Sequence, residues 1–140
     1  MNSIMKKISS AAFFLSPLIA NANPTDVSLT DCSALESYHP IDSKIYIQCL
    51  DSNIDMLRRY QQSWINKLLH DIEILQAQTG NTQLMPIIKR AVVYQEQYME
   101  DTCKWRYLHT LPNSIKASIV HKKCTVRMLR RHIEDLQIPY

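Results

Sequence analysis

DSKIYIQCLDSNIDMLRRYQQSWINKLLHDIEILQAQ, residues 42–78, is the stretch that decides the fold. Ile47, Leu50, Ile54, Leu57, Trp64, Leu68, Ile72 and Leu75 recur at three- and four-residue intervals, the rhythm of one face of an α-helix. Gln61 interrupts that stripe. Asp42 or Ser43 stands where an N-cap belongs, and Gly80 stands where a left-handed C-terminal stop belongs. The spacing therefore predicts one long helix from about residue 43 to Gln78.

The chain downstream has the same rhythm. Thr82 and Pro86 open a second long helix with a stripe of Leu84, Ile87, Ala91, Tyr94, Tyr98, Trp105 and Leu108. Leu111-Pro112-Asn113 forms a turn, and Asn113 caps a third helix reaching about Gln137. In that helix Ile115, Ile119, Val126, Leu129, Ile133 and Leu136 share a face, and Pro139 ends the element. A single glycine in 140 residues agrees with helices throughout and excludes glycine-rich phosphate loops. No internal repeat or low-complexity tract interrupts the pattern. The expected fold is all-α: an antiparallel bundle of three long helices plus a short N-terminal helix around Leu29 to Leu35, ended by Tyr38-His39-Pro40.

Upstream of the bundle, MNSIMKKISSAAFFLSPLIANA (residues 1–22) has the layout of an export signal. Lys6 and Lys7 form a basic start, Ile8 to Ile19 an apolar core, and Ala20-Asn21-Ala22 the small-x-small pattern a signal peptidase reads. The apolar core falls short of the ~20 residues a membrane span needs. Cys32 lies too far along for lipid attachment at the cleavage point. The expected product is one domain over residues 23–140, periplasmic or secreted, with no membrane span after cleavage. The formal charge of +3, less the two lysines of the leader, leaves about +1, which is no nucleic-acid footprint.

Export changes the reading of the four cysteines. An even count in an oxidising compartment points to disulfides, and four cysteines allow three pairings. Cys32 and Cys49 flank the break at Pro40, and Cys103 and Cys124 flank the turn at Pro112. Each pair can meet across a helical hairpin, whereas Cys49 and Cys103 would need a large stagger. The expectation is Cys32–Cys49 and Cys103–Cys124. No two cysteines have zinc-ligand spacing, and His121 beside Cys124 is an isolated pair.

Asp31-Cys32, then Ile47-Gln48-Cys49 at the head of a long helix with Leu57 and Tyr60, resembles the small exported proteins of the LprI-type lysozyme-inhibitor family. The stretches from Ala91 to Cys103 and from Cys124 to Arg131 carry the resemblance through the second half. Where the family has a tryptophan before the third cysteine this chain has Tyr94 or Gln95, and Met99 stands in place of an arginine. The resemblance implies a four-cysteine helical domain acting as a non-enzymatic inhibitor of a lysozyme or other peptidoglycan hydrolase. The runner-up functions are a periplasmic immunity protein against a peptidoglycan-cleaving toxin and a cell-envelope protein with another binding role.

No catalytic constellation stands out, so no catalytic, cofactor-binding or metal residue is assigned and no cofactor is expected. Asp51, Asp55, Asp71, Glu73, Glu96, Glu100 and Asp101 alternate with Arg58, Arg59, Lys89 and Lys104, the pattern of a solvated helix face. His39, His70, His109, His121 and His132 are scattered. His70 with Glu73, or His109 with His121 near Pro112, offers at most a weak metal pair. A hydrolase built on them would lose activity on chelation. Trp64 and Trp105 fall on apolar stripes and are expected in the core. Tyr60 and Tyr107 lie just off the stripes and are candidate anchors for a protein partner. Lys116, Lys122, Lys123, Arg127, Arg130 and Arg131 occupy the outer sides of the third helix. Of these, Lys123, Arg127, Arg130 and Arg131 are the candidate contacts for an acidic cleft.

Overall fold

The computed structural model describes residues 27–139. The expected export signal and cleavage site fall on residues 1–22, outside the described residues. Three helices make up the described chain: α1 (Ser43–Thr79), α2 (Leu84–Thr110) and α3 (Ser114–Gln137). None of them is long and apolar enough to cross a membrane.

The helix ends follow from local chemistry. Gly80 closes α1 in the left-handed region at φ 72°, with its N–H bonded to the Gln76 carbonyl at 2.8 Å. Glycine has no Cβ to clash in that conformation. Asn113 caps α3 by accepting from the Lys116 N–H at 3.0 Å. Asp42 occupies the N-cap position of α1 but its side chain makes no capping bond. The neighbouring Ser43 is buried and its hydroxyl donates to the Pro40 carbonyl at 3.5 Å.

Short turns make α2 antiparallel to both of its neighbours. Lys122 of α3 pairs with Asp51 of α1, and His132 meets Gln61; both contacts join residues 71 apart, so α1 and α3 run parallel without slip. The result is an up-down-up bundle with α3 packed against both other helices. Two buried clusters fill it. Cys32, Tyr46, Leu50 and Ile119 close one end. Leu57, Met99, Cys103, Cys124, Met128, Leu129 and Ile133 form the middle.

Disulfides staple both clusters. Cys32 bonds Cys49 across the Pro40 break and Cys103 bonds Cys124 across the α2–α3 turn, as the hairpin geometry leads one to expect. The chain before α1 differs from the expected short helix. Over Leu29 to Leu35 there is a single 3-10 turn, Ser33–Leu35. The buried side chain of Asn53 supplies the reason. Its Nδ2 donates to the Thr30 carbonyl and its Oδ1 accepts from the Thr30 N–H, both at 2.9 Å. Thr30 thus bonds to α1 as a strand residue would, and its backbone groups are taken from any helix.

The largest correction concerns α2. Its apolar stripe does not face the core: Ile87, Tyr94, Tyr98, Trp105 and Leu108 are all more than half exposed, Tyr94 at 65% and Trp105 at 54%. The buried residues of α2 are Met99 and Cys103. Cys103 and Trp105 are two positions apart, hence on nearly opposite sides of a helix with 3.6 residues per turn. Bonding Cys103 to α3 turns the tryptophan outward. The stripe of α1 is corrected in detail: Gln61, Asn53, Tyr46 and Ile65 are buried, while Leu75 is exposed.

Candidate functional site

The basic side of α3 is one candidate surface. Lys116, Lys123, Arg127 and Arg130 recur at helical spacing and are exposed, with Arg131 close beside them. Lys122 lies off this ridge, half-buried and paired with Asp51. Lys123 is anchored at 3.1 Å to Glu36. That hydrogen bond holds the Glu36 carboxyl below its ordinary value and raises the Lys123 ammonium above its own. Arg127, Arg130 and Arg131 take part in none of the salt bridges among the described residues.

Arg130 also lines a cavity of about 400 Å³ between α1, α3 and the chain at Val27–Leu29. Tyr60, Glu134 and Gln137 share its wall. The Tyr60 hydroxyl and the Gln137 side-chain nitrogen are both shielded from solvent and have no hydrogen-bond partner among the described residues. A buried polar group left without a partner costs about 1–3 kcal/mol. Both groups can donate, as can Arg130, and the Glu134 carboxylate on the same wall is an acceptor already present there. Tyr60 itself stands edge-on to Trp64, ring centroids 6.4 Å apart, and packs against the central cluster.

The structure therefore brings Tyr60 and Arg130 to one cavity, with Arg127 and Arg131 on the same exposed side of α3. Tyr107 is not among them: it is half-buried and stands edge-on to His121 at 6.3 Å. Trp64 is half-buried against the core, as its stripe implies, whereas Trp105 lies on the surface. Glu134, Gln137 and the Val27–Leu29 wall escaped the sequence reading, because only folding of the first described residues against α1 and α3 creates the cavity.

The exposed face of α2 is the second candidate surface. The Arg106 guanidinium lies 4.3 Å above the Trp105 ring and His109 meets that ring edge-on at 6.5 Å, so this surface tryptophan is held in place. The signal that reveals the face was present in the sequence: Cys103 lies at the opposite helical phase from the stripe.

The remaining titratable groups have structural partners. His132 is buried, and Gln61 Nε2 lies 2.7 Å from its Nδ1, a geometry in which the amide donates to a neutral ring. Burial lowers the His132 pKa. His121 is also lowered, first by burial and then by the neighbouring Lys122 charge. Among the described residues, no three His, Cys, Asp or Glu side chains gather as a metal-holding group. Comparison with protein-family models, with curated proteins and with solved structures yields no match.

Proposed function

We propose that this chain is an exported, periplasmic or secreted, non-enzymatic binding protein of the lysozyme-inhibitor type. In this reading it blocks a lysozyme or related peptidoglycan hydrolase by presenting α3 to an acidic cleft. The observation that carries the reading is the exposed ridge of Arg127, Arg130 and Arg131 on one side of α3, none of which takes part in the salt bridges among the described residues. A catalytic carboxylate of the target supplies an acceptor for these arginines, and a hydrogen bond to a charged group contributes more than one between neutral groups. Two disulfides suit an oxidising compartment, and the resemblance to the LprI-type family supplies the target class.

The test is titration of the purified, oxidised protein into a muramidase assay with several lysozymes. Stoichiometric inhibition is expected, weakened at least about tenfold by Arg127→Glu with Arg130→Glu, since charges buried between partners carry over 1.4 kcal/mol each. Absence of inhibition by any lysozyme at large excess overturns the reading. Tight binding to one peptidoglycan-cleaving toxin alone replaces it with the immunity function.

A further inference from the structure

The outward face of α2 is apolar and exposed to solvent. Ile87, Ala91, Tyr94, Tyr98, Trp105 and Leu108 form one stripe along the solvent side of a 27-residue helix. A monomer does not need so long an aromatic row in water, and contiguous apolar surface of this kind marks an interaction site. The charges on the same face choose the occupant. Arg90 and Asp101 lie eleven positions apart, close to three helical turns, on the stripe's edge and within it. Both are exposed, and neither takes part in the salt bridges among the described residues.

We infer that α2 pairs antiparallel with α2 of a second copy, about a two-fold axis passing midway between Tyr94 and Tyr98. In that register Tyr94 meets the partner's Tyr98, Ile87 meets the partner's Trp105, and Arg90 reaches the partner's Asp101. Each contact occurs twice, as an isologous interface requires. The one acid that interrupts the stripe becomes the acceptor for the one arginine at its edge. A parallel pairing would instead set Asp101 against Asp101. A lipid surface fits less well, because Asp101 interrupts the stripe where an anionic membrane calls for cations. This contact uses a different helix from the proposed hydrolase contact and does not depend on it.

The experiment is sedimentation equilibrium of the oxidised, leader-free protein over a wide concentration range. A monomer–dimer equilibrium is expected. Tyr98→Lys should raise the dimer dissociation constant about a hundredfold, since truncated aromatic anchors at an interface centre lose over 2 kcal/mol. Helical circular dichroism should not change, because the side chain supports nothing in the monomer. Arg90→Glu and Asp101→Arg should each weaken the dimer, and the double variant should restore it. A protein monomeric at every concentration overturns the inference. So does a dimer indifferent to Tyr98→Lys, or one that the double charge reversal fails to restore.

Discussion

Helices α2 and α3 each carry an apolar stripe at helical spacing, yet the bundle treats the two in opposite ways. In α3 the stripe is the core: Ile119 and Leu129 are wholly buried and Ile133 nearly so. In α2 the stripe is the surface, and the buried side is the sparser one carrying Met99 and Cys103. Periodicity defines a face of a helix but not the direction in which that face points. A helix with apolar residues on two sides is oriented by whatever fixes its rotation. In α2 the bond from Cys103 to Cys124 does so, together with Met99, which joins the central cluster. The aromatic row is then left in water, available for a partner.

The largest expected effect contrasts the two stripes directly. Leu129→Ala should destabilise by about 2–5 kcal/mol, the range for emptying a packed core site. Trp105→Ala should change stability by less than about 1 kcal/mol, the loss of a surface stacking contact. Urea unfolding of both variants at low protein concentration checks this, and a reversed order would mean that α2 is rotated relative to the structure.

Cutting the staple is the next test. Cys103 and Cys124 enclose a loop of sequence separation 21. Replacing both by serine should lower stability by about 3 kcal/mol in the chain-entropy picture. It should also loosen the rotational setting of α2, read as increased burial of Trp105 in its fluorescence and quenching. Unchanged stability would show that packing alone orients the helix.

A smaller effect comes from the polar contact between α1 and α3. The folded-state pKa of His132 lies below its unfolded value of about 6.5, with burial as the first cause. The unfolded chain therefore binds the extra proton first on acidification. This contribution to stability is complete above about pH 6.5 and is lost as pH falls through the lower folded value. His121, shifted in the same direction, adds to the same loss. Protonation would also place a ring N–H against the Gln61 amide donor, two donors facing each other. Melting temperatures measured between pH 7.5 and pH 5 should fall, and His132→Gln should flatten the profile. A profile that His132→Gln leaves unaltered would place the acid sensitivity elsewhere.

Much of this was legible before folding. Asn113 and Gly80 mark helix ends through chemistry confined to a single turn, so local residues suffice to locate them. The disulfide partners follow from loop positions because a helical hairpin leaves few ways for four cysteines to meet. The α3 ridge was legible for a similar reason, since charged side chains recurring at helical spacing stay in water on any bundle. Gln61 reads as a gap in an apolar stripe, and only its partner, His132, distant in sequence, makes it a core residue. Asn53 likewise becomes a backbone clamp only when Thr30 reaches it.

The sequence by itself determined that residues 43–137 form three helices, where they turn and which cysteines can bond. Those properties depend on neighbours within a turn or on the length of a loop. The tertiary structure alone decided which side of α2 is inside, how Tyr60, Arg130 and Gln137 come to share a cavity, and that Trp105 stands in solvent. These depend on the rotation of whole helices about their axes. That rotation is set by contacts between residues far apart in the chain, and no local spacing records it.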